Sequence, residues 1–285
     1  MTPFELAEPR SMREAIALLD ANDSSVRPIS GGTALMLMMK AGVLRPTRLV
    51  SLAKLGLSRI ETGLRGELRV GAMTPLGMLE RSALVQRGWP VIARTLRTLS
   101  NVRVRNVATV GGNLAHADPH MDLPPVLSAL GARVTISGPS GERSIAVEEI
   151  STGYLETSIR LNELVTLLEV PPLGGRSAAY LKCTTRSADD WPAVGVAVVL
   201  QLEKDLVKEA SVVISAATDR PTRLAAAEKV LRGRKIDEKL LKQAGEAAAE
   251  EVSIVGDLHG SEMYKKQLIR VYLGRAIHEA RAKSH

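Results

Sequence analysis

The chain predicts an α+β protein built from three blocks, and three observations carry that prediction. Short strand-like and helix-like runs alternate through the first 170 residues. The segment Pro171-Pro172-Leu173-Gly174-Gly175 then interrupts them as a linker. Beyond it, three apolar strand candidates are followed by three helix candidates, the order expected when helices lie on one face of a sheet. The blocks are residues 1–57, 58–172 and 176–285.

The elements follow in order. Ser11 and Glu14 form a capping-box pattern opening an amphipathic helix through residue 19. Residues 26–29 read as a strand, 33–40 as a helix stopped by Gly42, and 49–52 as a second strand. The second block opens with a hairpin, 60–62 and 68–70, around Gly63 to Gly66. Thr74-Pro75 starts a short helix, and apolar residues at 91, 92, 95, 96 and 99 have helical spacing. Thr109-Val110 is a strand-like lead into a glycine pair, and 123–130 is a helix entered through prolines. A hairpin, 133–137 and 143–146, turns at Pro139-Ser140-Gly141, and 164–170 is an apolar strand. The third block holds strands at 178–182, 193–202 and 210–215, the last two joined at Lys204-Asp205, then helices at 223–231, 238–251 and 262–281.

Composition narrows the classes. Apolar residues make up 45% of 285, ample for a core. The single cysteine, Cys183, excludes an internal disulfide and an all-cysteine metal site, and an iron–sulfur cluster needs about four ligands. Net charge is +7, but basic residues are scattered among acids, and only 2% aromatic content leaves no base-stacking platform. No nucleic acid is expected. Residues 1–10, with Pro3, Glu5, Glu8 and Pro9, lack the apolar core of a signal peptide. The longest apolar runs, 34–39 and 193–200, are far short of the ~20 residues a membrane span needs. A cytoplasmic protein without a membrane span is the expectation.

Two glycine pairs stand out: Pro28-Ile29-Ser30-Gly31-Gly32-Thr33-Ala34 and Thr109-Val110-Gly111-Gly112-Asn113. A glycine pair after a strand removes two Cβ atoms where the chain turns, so successive N–H groups can converge on an anion. Neither pair fits the G-x-G-x-x-G or P-loop patterns, and a Gly-Gly turn by itself is usually only a turn. Two of them suit a long phosphate-bearing ligand gripped from both sides. Past the second pair, His116 and His120 are four apart with Asp118 and Asp122 interleaved. That spacing permits a metal site on a helix, but Pro119 stands between the histidines and argues against one.

With these stretches in order, the chain resembles the FAD-binding medium subunit of the molybdenum hydroxylases, the xanthine dehydrogenase and aerobic carbon monoxide dehydrogenase group. The matching stretches are Gly31-Gly32-Thr33 with 49–52 downstream, residues 109–125, and Gly153-Tyr154. Further matches are Lys182 with Arg186 and Asp190, Ala193-Val194, and Pro221-Thr222-Arg223 before Ala227-Glu228. The resemblance implies a two-lobed FAD-binding domain of the vanillyl-alcohol-oxidase/PCMH type. It also implies a C-terminal α+β domain, a three-stranded antiparallel sheet with helices, closing over the flavin. By the same resemblance the chain is an electron-transfer subunit, incomplete as a catalyst. Its partners would be a large subunit with the molybdenum cofactor and a small subunit with [2Fe-2S] clusters, in a dimer of heterotrimers.

The resemblance also distributes roles. Pro28, Ile29, Ser30, Gly31, Gly32, Thr33 and Ala34 would take the pyrophosphate. Thr109, Gly111, Gly112 and Asn113 would approach it from the other lobe. Asp122 would accept from ribose hydroxyls, with His116 and Asp118 beside it. Tyr154 would lie against a flavin face. Lys182 would sit at the isoalloxazine N1/C2=O edge, where a cation favours the reduced flavin. Read without the resemblance, Lys182 is an ordinary surface lysine on a strand. Trp191 departs from the family pattern, as do Ser158 and Ile159. Two other classes stay open: a stand-alone FAD-dependent oxidoreductase of the alcohol-oxidase fold, and a non-catalytic interaction module. A visible spectrum and turnover without partners separate them.

Overall fold

The computed structural model describes residues 2–283. The first lobe comprises β1 (Glu5–Ala7), α1 (Met12–Leu18), β2 (Val26–Ile29), α2 (Thr33–Lys40) and β3 (Arg48–Ser51). Its strands form a parallel sheet of order β1-β3-β2. Parallel neighbours need a crossover, and α2 provides it between β2 and β3. Ser11 Oγ accepts the Glu14 N–H at 3.2 Å, but the Glu14 carboxylate turns to the Arg10 N–H, so only half of the capping box forms.

The second lobe begins with β4 (Ile60–Thr62) and β5 (Leu68–Gly71). Six helices follow: α3 (Leu76–Arg81), α4 (Ala83–Gly88), α5 (Pro90–Thr98), α6 (Val102–Arg105), α7 (Val110–His116) and α8 (Leu123–Ala129). The lobe ends with β6 (Arg133–Gly138), β7 (Gly141–Ala146), the small β8 (Ser151–Gly153) and β9 (Glu156–Thr157) hairpin, and β10 (Leu164–Val170). An antiparallel sheet of order β4-β5-β10-β6-β7 results. Its middle strand β10 is the mostly apolar run at 164–170, interrupted by Thr166 and Glu169, and every residue of it but Glu169 is buried.

The third block is β11 (Ser177–Cys183), β12 (Val194–Glu203), β13 (Leu206–Ser215) and β14 (Thr222–Arg223), then α9 (Ala225–Leu231), α10 (Glu238–Glu251) and α11 (Glu262–Ala282). Lys204 and Asp205 have φ of 49° and 67°, the mirror-type turn that matches strand twist. The expected three-stranded sheet gains a fourth, two-residue strand. Arg223 is held extended by Glu148, Glu228 and the Ser128 carbonyl, so the helix expected from residue 223 starts at 225.

The sheet is covered on both faces, not one. Val194, Val196, Val198 and Leu200 of β12 pack into the core with α9, α10 and α11. Ala197 and Val199 join the second lobe's core with Leu127, Leu130 and Ile92. The continuous apolar run at 193–200 is the sequence trace of this double burial. Among the described residues, no helix is long and apolar enough to cross a membrane.

Candidate functional site

The first glycine pair lies between β2 and α2. Gly32 caps α2 with φ +73°, a left-handed conformation that favours glycine, and no side chain caps the helix. The first helical bond runs from the Met36 N–H to the Gly32 carbonyl. The N–H groups of Thr33, Ala34 and Leu35 come before it, and all three point out of an eight-residue helix start. Such a terminus attracts anions through its open donors and its dipole.

The second pair is not a turn after a strand. Thr109 has extended backbone, but Gly111 and Gly112 fall in the first turn of α7. The reason is local: the Thr109 side chain accepts the Gly112 N–H at 3.1 Å, an N-cap bond. The neighbouring amides are also engaged, Val110 by the Thr74 carbonyl, Gly111 by Ala72 and Asn113 by Thr109. No amide of this pair is left for an anion. What the glycines provide is room. A Cβ on Gly111 would stand 2.7 Å from the Ala72 Cβ, and one on Gly112 2.6 Å from Ser30 Oγ.

The two pairs meet across the lobes. Thr109 Oγ1 donates to Ser30 Oγ at 3.1 Å, over 79 residues of chain. A Cβ on Gly31 would stand 2.1 Å from the Val107 carbonyl oxygen. Beside this junction, Asn113 is 8% exposed; its amide nitrogen donates to Met121 Sδ, and its Oδ1 is buried without a partner. A buried acceptor without a donor is costly, and a ligand donor would satisfy it.

Asp122, Tyr180 and Lys182 form the other end. Tyr180 and Lys182 project from β11 toward the second lobe, where Tyr180 OH donates to Asp122 Oδ1 at 2.6 Å and Lys182 Nζ to Oδ2 at 2.8 Å. The Lys182 ammonium also donates to the carbonyls of Thr98 and Asp190, which uses its three hydrogens. Its side chain is 7% exposed, so the surface-lysine reading fails. Burial pushes the Asp122 carboxyl above its ordinary value, against the pull of Lys182 and Tyr180. Burial, and then the Asp122 charge, push the Tyr180 hydroxyl well above its own. A cavity of about 260 Å³ opens on the α5 side of Lys182, lined by Arg94, Thr98 and Glu279 among others; neither glycine pair lines it.

The remaining candidates are distributed around this axis. Helix α7 ends at His116, and Ala117 turns left-handed at φ 52°, so His116 and His120 share no helix. Burial lowers the His116 pKa against the nearby Asp118. Asp118 is 4% exposed and accepts both the backbone N–H and the Nδ1 of His120. Tyr154 stands 59% exposed between β8 and β9, with no hydrogen bond or ring contact among the described residues. Arg105 pairs with Glu80 and donates to the carbonyls of Leu99 and Ser100. Sequence reasoning missed Tyr180 and Thr98, and nothing local marks either one.

The residues present fit a flavin dinucleotide. Open amides at α2 suit a pyrophosphate, the glycines let the two lobes close together beside them, and Asn113 Oδ1 lacks a donor. Residues 2–173 match the family model described as FAD binding domain in molybdopterin dehydrogenase, and 179–280 match CO dehydrogenase flavoprotein C-terminal domain. The glyceraldehyde dehydrogenase medium chain of Sulfolobus acidocaldarius is 31% identical over 277 residues, 97% of this chain and 98% of that one. The carbon monoxide dehydrogenase medium chain of Afipia carboxidovorans is 31% identical over 285 residues, 99% of this chain and 98% of that one. A solved chain of reconstituted CO dehydrogenase from Oligotropha carboxidovorans superposes with a TM-score of 0.94 at 31% identity, covering 99% of both chains. Quinoline 2-oxidoreductase from Pseudomonas putida 86 gives 0.92 at 27% identity, covering 99% of this chain and 98% of that one. Two family models that between them span nearly the whole chain, and full-length relatives named as medium chains, establish that it belongs to the FAD-binding medium subunits of the molybdenum hydroxylases.

Proposed function

We propose that this chain carries FAD as the electron-transfer subunit of a cytoplasmic three-subunit molybdenum hydroxylase. Electrons would enter from [2Fe-2S] clusters on a small partner subunit, which take them from the molybdenum cofactor of a large one. They would leave to an external acceptor. The complete assembly would be a dimer of such heterotrimers. One cysteine gives this chain no thiolate set for a cluster, in keeping with clusters on a partner.

The observation that carries the reading is the junction of the two glycine pairs, where an uncapped helix start faces a glycine surface with an orphaned Asn113 oxygen beside it. Bound FAD supplies a centre that accepts and releases electrons. The amides of Thr33, Ala34 and Leu35 would hold the pyrophosphate. Gly111 and Gly112 would let α7 pack against Ala72 and Ser30, bringing the second lobe up to the start of α2, and Asn113 Oδ1 would accept from the ligand. Asp122 and Lys182 form a buried ion pair at the far end, where they would orient the flavin against the third block.

The purified chain is expected to show a flavin absorbance spectrum, and acid precipitation should release free FAD. A colourless chain that takes up no added FAD overturns the reading. Turnover of an organic substrate without partners would instead favour a stand-alone oxidoreductase.

A further inference from the structure

One chain of charges linking the second and third blocks, with Asp118 and Lys265 buried and His120 and Asp257 partly exposed, has no role in the proposed function. Asp118 Oδ1 accepts His120 Nδ1 at 3.0 Å, and Asp257 Oδ2 accepts His120 Nε2 at 2.9 Å. The residues come from different blocks, 137 positions apart. Asp257 Oδ2 also accepts Lys265 Nζ at 2.6 Å, and the fully buried Lys265 donates again to the Ala216 carbonyl. A neutral imidazole has one N–H. A ring whose two nitrogens each meet a carboxylate must donate from both, so His120 is an imidazolium. Two carboxylates and two cations then balance in a row.

This ring also seats an aromatic. The Trp191 indole stacks on His120 with centroids 5.1 Å apart and planes 12° from parallel, and His259 packs against both rings. Trp191 follows Asp190, whose backbone carbonyl takes a hydrogen bond from Lys182 and whose carboxylate accepts the Trp191 N–H. A path of direct contacts therefore runs from His120 through Trp191 and Asp190 to Lys182 and Asp122.

We propose that His120 is a positioning residue: a protonated clasp between Asp118 and Asp257 that seats Trp191 and, through the Asp190 carbonyl, fixes Lys182, and that releases both when it loses its proton. Only the consequence for the flavin rests on the function proposed above; the clasp itself does not. The titratable and charged groups facing His120 are Asp118 with His116 behind it, Asp257 with Lys265 behind it, and His259. Burial works against the imidazolium, but the bonds to Asp118 and Asp257 outweigh it and raise the His120 pKa above 6.5. Burial opposes ionisation of Asp257 too, yet Lys265 and His120 hold it down at about 2. The signs follow. A raised histidine stabilises fully below its unfolded pKa and loses that contribution as pH rises through the folded one. The depressed carboxylates lose theirs only in strong acid. The clasp is thus closed in mild acid and opens on the alkaline side.

The test reads Trp191 emission in the full-length, flavin-free protein from pH 6 to 10, with Trp191→Phe subtracting the contribution of Trp89. Emission and acrylamide quenching of Trp191 should rise together, with an inflection above the ordinary histidine value of about 6.5. His120→Gln should abolish the inflection. Asp257→Asn keeps the histidine but removes one carboxylate, so its inflection should move down toward 6.5, which serves if His120→Gln fails to fold. In the FAD-loaded protein, release of FAD should accelerate with the deprotonated fraction of His120, about tenfold per pH unit below the inflection and levelling off above it. Absence of an inflection, one below 6.5, or one that survives His120→Gln overturns the clasp. A chain that titrates as expected but binds no flavin overturns the proposed function and leaves the clasp standing.

Discussion

Gly31-Gly32 ends a strand and leads into the open amides of Thr33, Ala34 and Leu35, whereas Gly111-Gly112 starts a helix and leaves none. Thr109 makes the difference. Its hydroxyl caps α7, while the equivalent place before α2 is Gly32, which has no side chain to offer. One half of the junction is therefore a set of free donors with a special φ. The other half is a satisfied surface kept bare so that the first can reach it. The same division continues along the site, because Asp122 and Lys182 are also fully paired within the protein. Open groups are there for a ligand; closed groups hold the frame. Substitutions in the closed half should therefore act on stability, and those in the open half on flavin retention.

The largest effect is expected at Lys182→Met. Removing one partner from a buried ion pair leaves an uncompensated charge, at a cost of about 3–5 kcal/mol. In the variant, burial alone raises Asp122 above its unfolded value. A raised carboxyl stabilises below its unfolded pKa and loses that contribution as pH rises. The deficit against wild type should thus be largest near neutral pH and shrink in acid, as followed by urea midpoints at several pH values. A deficit independent of pH would mean that Asp122 does not sense Lys182. Because Asp122 already neutralises the ammonium, stability rather than the flavin potential should report this change.

Gly112→Val comes next. Valine is a better helix former than glycine by only about 0.3 kcal/mol, so propensity weakly favours the change. The built Cβ, however, meets Ser30 Oγ at 2.6 Å and Thr109 Oγ1 at 2.9 Å. Overpacking of this kind costs about 1–3 kcal/mol and wins. Stability and flavin retention should fall together. A stable variant that is merely colourless would move the second pair into the open half.

At Gly32→Ala the order reverses. The left-handed φ costs an alanine about 1–2 kcal/mol, and its Cβ would stand 3.2 Å from the flexible Ile29 Cδ1. The chain should stay folded but lose most of its FAD, because relief of the strain turns the amides of Thr33 and Ala34. Flavin content per protein and the melting temperature, measured on one preparation, decide this.

How much of this was legible depends on whether the signal was local. The strand and helix segments of the first lobe and the strands at 164–170 and 193–202 could be read from periodicity and apolar run length, but the parallel pairing, the central place of β10 and the covering of β12 on both faces could not. That Ser30 and Thr109 lie in one site followed from two similar glycine pairs. The helical character of the second pair was hidden, because Gly-Gly reads as a turn and the one opposing cue is the Thr109 cap. Strand β1 has three residues and no alternation to detect. Lys182 and Asp122 meet over 60 residues, and His120 and Asp257 over 137; no spacing rule spans such distances. The family pattern placed Lys182 at the site but said nothing of the carbonyls of Thr98 and Asp190 that occupy its remaining hydrogens.

The smallest effect is the sharpest test of the junction. Ser30→Ala removes the acceptor of the Thr109 hydroxyl, a part-buried bond worth about 0.5–1.5 kcal/mol. It also removes the atom closest to a Cβ at position 112, leaving Thr109 Oγ1 as the nearest. Gly112→Ala should then be cheaper in the Ser30→Ala background than in wild type. Contacting residues couple by about 0.5–3 kcal/mol, and because one of two close contacts remains, the coupling should sit near the lower end. Four urea titrations complete the cycle. Additive costs would mean that the lobes do not touch at Ser30 and Gly112, and the argument that the two glycine pairs form one site would lose its geometric basis. A coupling larger than the cost of Ser30→Ala alone would mean that the bare surface of α7 is held open chiefly by the first lobe, which would make that lobe part of the frame as well as the ligand-facing half.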